Sequence, residues 1–119
     1  MKLLIASAVF LLGVSLAWAD TQDIRDPKVR VYLEKPVEFG VKNKMLCYVY
    51  DFHPPLIKIG MHLNKEEIPN AHQNDMKFNQ DWSYEMLKYV EITPKQGDKA
   101  TCTVSHNGQE PKTYELNWM

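Results

Sequence analysis

Four histidines and two cysteines are the residues best suited to carry chemistry in this sequence, and their spacing decides against most of it. His53, His62, His72 and His106 lie far apart in the chain. No H-E-x-x-H pair sets two imidazoles on one helix face to hold a metal, and no glycine-rich phosphate loop or G-x-S-x-G elbow occurs. Cys47 and Cys102 are the only thiols, which is too few for a four-cysteine zinc site, and a bridged pair leaves no nucleophile. No enzyme, resident metal or cofactor is expected. What remains is the chemistry of surfaces: six tyrosines, three tryptophans and four phenylalanines in 119 residues.

Charge narrows the partners. Lys and Arg total 14 against 15 Asp and Glu, a formal net charge of -1, so there is no basic excess to neutralise nucleic-acid phosphates. With 45% hydrophobic and 24% charged residues the chain has globular rather than disordered composition, and its length fits one domain. Residues 1–19 stand apart. Lys2 precedes the apolar run Leu3 to Leu16, and Ala17-Trp18-Ala19 sets small residues where a signal peptidase reads. The run is short for a membrane span and no stop-transfer cluster follows it, so the pattern reads as a secretory signal peptide cleaved after Ala19. No later stretch is apolar enough to span, and direct membrane insertion is not expected. Residues 20–119 then form the mature domain in an oxidising compartment, where Cys47 and Cys102 should pair. Closing a loop of 55 positions is worth roughly 4 kcal/mol in the chain-entropy account.

The elements that must carry the aromatic residues are short strands. Period-two alternation recurs between Pro, Gly, Asn and Asp punctuation over Lys28–Leu33, Met45–Tyr50, Ile57–Met61, a weak Asp75–Phe78, Trp82–Glu91, Ala100–Ser105 and Thr113–Leu116. Seven strands at this spacing predict an all-β antiparallel sandwich of the immunoglobulin constant type, with strands one, two, four and five in one sheet and three, six and seven in the other. The cysteines fall on the apolar sides of strands two and six, so one bridge would join the two sheets. Alternation also assigns the outer faces. The three-stranded sheet turns out Lys58, Gly60, His62, Thr101, Thr103, Ser105, Thr113 and Glu115, an ordinary solvated face. The four-stranded sheet turns out Arg30, Tyr32, Leu46, Tyr48, Tyr50, Leu87 and Tyr89. High β-propensity alone could place tyrosines there, but contiguous aromatic and apolar surface commonly marks a protein partner. Trp82, in the turn N-Q-D-W-S, either folds back on the core or serves as an interface anchor.

Six segments carry a resemblance: P-K-V-R-V-Y (Pro27 to Tyr32), C-Y-V (Cys47 to Val49), F-H-P (Phe52 to Pro54), F-N-Q-D-W-S (Phe78 to Ser83), E-I-T-P (Glu91 to Pro94) and C-T-V-S-H (Cys102 to His106). In this order the sequence resembles the beta-2-microglobulin family over essentially the whole of residues 20–119. The resemblance implies the light chain of a class I major histocompatibility complex, secreted and held at the cell surface by a non-covalent, membrane-anchored heavy chain. The matching contact positions are Arg30, Tyr32, Tyr48, His53, Asp75, Phe78, Trp82 and Leu87, with Trp82 inserted beneath the peptide platform and Asp75 accepting hydrogen bonds. It also implies a cis peptide at His53-Pro54. Three positions depart from the pattern. Ala100 stands where a corner tyrosine is usual, so that corner should be altered. Lys88 falls at an inward position where an aromatic is common and should snorkel to a sheet edge. Glu85 replaces a frequent tyrosine, putting that contact in doubt. The rival is another secreted immunoglobulin-like binding or adhesion module with the same fold and a different partner.

Overall fold

A computed structural model describes residues 24–118. The expected signal peptide, residues 1–19, lies outside the described residues. Among the described residues nine strands form: β1 (Lys28–Leu33), β2 (Asn43–Phe52), β3 (Ile57–Leu63), β4 (Glu66–Glu67), β5 (His72–Gln73), β6 (Lys77–Phe78), β7 (Tyr84–Ile92), β8 (Ala100–His106) and β9 (Lys112–Glu115). One antiparallel sheet runs β1-β2-β7-β5, with β6 also paired to β7, and the other runs β4-β3-β8-β9. This is the expected sandwich, with two additions. The fourth strand is split into two short pieces on β7, and Asn64-Lys65, both at positive φ, turn the chain back so that Glu66–Glu67 pairs with the end of β3. No helix among the described residues is long and apolar enough to cross a membrane.

The alternation that defines the strands also builds the core. Met45, Cys47 and Val49 of β2, Ile59 and Met61 of β3, Met86 and Val90 of β7, and Cys102 and Val104 of β8 are buried between the sheets. Cys47 and Cys102 are bridged, with Cα atoms 6.3 Å apart and neither exposed, so the bond joins β2 to β8 through the centre. Met61 is the partner of Cys102 in the β3–β8 register, so a thioether packs beside the bridge. Unbranched, polarisable methionines suit such an irregular gap.

Two features refine the sequence reading. β2 extends to Phe52 through a bulge: Asp51 adopts φ 58, the register shifts between Tyr50 and Phe52, and Phe52 is thereby turned into the core. Strict alternation would have put that ring outside. At the altered corner, Ala100 is fully buried, and the polar tie at that end comes from elsewhere. The Trp118 indole N–H donates to the Asp98 carbonyl at 2.8 Å, while its ring meets Phe39 edge-on at 5.9 Å.

Candidate functional site

The strand register sets the outer residues of the five-stranded sheet in rows. Arg30, Tyr48 and Leu87 lie side by side across β1, β2 and β7. Tyr32, Leu46 and Tyr89 form the next row, and Lys28, Tyr50 and Glu85 a third. Such neighbours are close enough for rings to touch. Tyr48 and Tyr50 stack with centroids 4.9 Å apart at 13°. Tyr89 is covered from two sides, by the Lys44 ammonium 5.2 Å above its ring and by His72 of β5 stacked at 5.5 Å. Tyr32 remains 42% exposed. The face thus carries tyrosines and leucines along its rows, with Arg30, Lys28 and Glu85 as the charged residues among them. The opposite sheet differs. Its Gly60 leaves the space that His62 and Thr103 occupy, since a Cβ there would sit 2.7 Å from the Thr103 hydroxyl and 3.1 Å from the His62 ring.

Trp82 stands at one end of the aromatic face and is 71% exposed. It has not folded onto the core, because its turn is built to hold it out. Trp82 sits at φ 69, a left-handed conformation that side chains other than glycine rarely adopt. The bonds around it maintain that conformation. Trp82 N–H donates to the Asn79 carbonyl at 3.1 Å, and Asn79 N–H to the Ser83 carbonyl at 2.8 Å. One Asp81 oxygen accepts from both the Ser83 amide, at 3.2 Å, and the buried Ser83 hydroxyl, at 2.6 Å. The Ser83 hydroxyl, then its amide, hold the Asp81 carboxyl below the usual carboxylate range, with a smaller contribution from Arg25. Arg25 reaches Asp81 at 3.3 Å and Asp51 at 3.4 Å, tying the segment before β1 to the turn.

His53 and Phe78 complete this end. The His53–Pro54 peptide is cis. His53 Nδ1 lies 3.1 Å from the Trp82 carbonyl; a carbonyl only accepts, so Nδ1 carries the proton. Phe78, 51% exposed, meets Trp82 edge-on at 5.6 Å and Tyr84 at 5.1 Å. Trp82 therefore stands on a small platform of rings.

Of the eight residues singled out from the sequence, five gather on or beside the outer face of the five-stranded sheet and three around the Trp82 turn. Arg30 and Tyr32 are on β1, Tyr48 on β2 and Leu87 on β7. His53, Phe78 and Trp82 cluster at one end, and Asp75 lies between β5 and β6 at the rim of a cavity of about 320 Å³ shared with Tyr32, Tyr48, Glu85 and Leu87. Sequence reasoning missed two links. Glu85, treated only as a departure, accepts a hydrogen bond from the Tyr48 hydroxyl. Asp81 and Arg25 were not singled out as the fixings of the Trp82 turn. An Asp just before an exposed Trp, in a turn followed by Ser, was the available signal.

Lys88 occupies its expected inward position, opposite Cys47 in the β2–β7 register. Its ammonium donates to the Ile59 carbonyl of the facing sheet at 2.7 Å. The Met61 carbonyl accepts from Ile68 N–H on the open side of β3, and carbonyls two residues apart on a strand face the same way. Ile59 therefore offers its carbonyl at the β3 edge beyond the reach of short β4, and Lys88 satisfies it.

Known proteins resemble this chain along nearly its whole length. Residues 29–109 match the immunoglobulin C1-set domain. Beta-2-microglobulin of Ictalurus punctatus is 42% identical over 118 residues, covering 99% of this chain and 97% of its own. That of Xenopus laevis is 40% identical over 90% of each chain, and that of Bos taurus 43% identical over 83% of each.

Proposed function

This chain belongs to the beta-2-microglobulin family, and from that premise we propose that it is the non-catalytic light chain of a class I major histocompatibility complex, covering its aromatic sheet with the heavy chain. The observation that carries the reading is the asymmetry of the two outer faces: tyrosines, leucines and an outstanding Trp82 on one, threonines and lysine on the other. Arg30, Tyr32, Tyr48, His53, Asp75, Phe78, Trp82 and Leu87 are the proposed contacts. Trp82 and Phe78 enter a pocket of the heavy chain, Tyr32 and Tyr48 cover apolar area with the Tyr48 hydroxyl held by Glu85, and Asp75 accepts hydrogen bonds. Tyrosine and tryptophan suit this task because they bring large, stiff surface at small conformational cost.

The light chain acts by linkage. A partner that binds only the folded heavy chain stabilises it by mass action. Peptide and light chain share that folded state, so each must raise the other's affinity by the same factor. The signal peptide, residues 1–19, directs export and is cleaved after Ala19, and the membrane-anchored heavy chain holds the mature chain at the cell surface. No nucleic acid, metal or cofactor enters this reading.

Refolding class I heavy-chain ectodomains with this chain or its Trp82→Ala variant tests it. Trp82→Ala weakens association by about 2 kcal/mol or more, as loss of an interface anchor does, while leaving the free domain folded, because the indole is exposed. Unchanged affinity in that variant, or no association of the unaltered chain with any class I heavy chain, refutes the proposal.

A further inference from the structure

The cavity beside Tyr48 offers hydrogen-bond acceptors where a partner would cover it. The Tyr48 hydroxyl donates its only proton to one Glu85 oxygen, so toward a partner it can only accept. The other Glu85 oxygen has the Lys77 ammonium at 3.7 Å, an ion pair too long to be a hydrogen bond. Lys77 is largely exposed while the Glu85 side chain is mostly covered, so the flexible cation lies over the carboxylate rather than locked to it. Asp75 adds a second carboxylate at the rim of the same 320 Å³ space. A partner laid over this row excludes water from these oxygens. A carboxylate left short of donors in a dried interface is costly. The group that relieves it must bring N–H donors and positive charge.

We propose that Glu85 is a specificity-determining residue of this interface, selecting heavy chains that place a guanidinium or ammonium side chain in the cavity between Tyr32, Tyr48 and Leu87. This rests on the light-chain reading above and adds a requirement to it. A heavy chain with an apolar or acidic group at that point is disfavoured by the same carboxylate, so Glu85 attracts one class of partner and rejects another.

The test compares the unaltered chain, Glu85→Gln, Glu85→Lys and Trp82→Ala for association with refolded class I heavy-chain ectodomains at low and high ionic strength. Glu85→Gln keeps the shape and removes the charge. It should bind about 10-fold more weakly, with a shallower dependence on salt, and Glu85→Lys about 100-fold more weakly. Exchanging heavy-chain Arg and Lys residues for Met one at a time should reveal one position at which the difference between unaltered chain and Glu85→Gln disappears. A merely structural role for Glu85 would weaken binding equally in every such background. Thermal unfolding of each free variant guards against misfolding. If the unaltered chain binds and Trp82→Ala does not, while Glu85→Gln binds with the same affinity and salt dependence as the unaltered chain, the donor requirement falls and the light-chain reading stands. If the unaltered chain binds no class I heavy chain, both fall.

Discussion

At the scale of single residues, the Tyr48–Glu85 bond has consequences in the free chain. The carboxylate beside it, followed by burial, pushes the Tyr48 phenol up to about 12, against an ordinary value of about 10. A group whose folded value is raised contributes stability that is fully present below its unfolded value and is lost as pH rises through the folded one. The bond therefore supports the fold up to about pH 10 and ceases to do so through about pH 12. Glu85→Gln should return the Tyr48 titration toward its ordinary range and shrink the alkaline loss of stability. Phenolate absorbance and thermal unfolding across that range check this; an unshifted Tyr48 titration in the variant would contradict it. The aromatic residues themselves were legible in the sequence, since alternation fixes which way a strand residue points. The partner of each polar tip was not, because Tyr48 and Glu85 lie 37 positions apart and meet only through pairing of β2 with β7.

At the scale of elements, strands could be read to within a few residues wherever alternation was strict. β1 and β8 show this. Failures had local causes. The Asp51 bulge inserts one residue and reverses the parity of β2 at Phe52, which no period-two pattern contains. β4 and β5 are two residues each, too short to show a period. Lys88 is the instructive case. As a sequence position it conflicts with a core strand, yet its stem crosses the interior and its ammonium satisfies the Ile59 carbonyl at the open β3 edge. Lys88→Met keeps the apolar stem and removes the donor. It should lower the unfolding free energy by about 1 kcal/mol, the usual net worth of one hydrogen bond, and speed amide exchange in β3. Denaturant unfolding measures the first effect. A variant as stable as the original would show that the β3 edge does not depend on this lysine.

At the scale of the whole molecule, the bridge from Cys47 to Cys102 and the methionine-rich core serve to hold two sheets with unlike outer faces. Fold class and the better face were legible because burial and alternation are both local in sequence. The mode of presentation of Trp82 was not legible, because it depends on Arg25, Asp51, His53 and Asp81, drawn from three parts of the chain. The central claim is that the tyrosine-lined sheet and its Trp82 corner are covered by a heavy chain. Side-chain footprinting by hydroxyl radicals, comparing the free chain with its complex with a class I heavy chain, tests it most directly. The account predicts strong protection of Tyr32, Phe78 and Trp82 on binding, with His62 on the opposite sheet as reactive as before. Protection centred on His62 and its neighbours, with Trp82 still fully reactive in the complex, would contradict it.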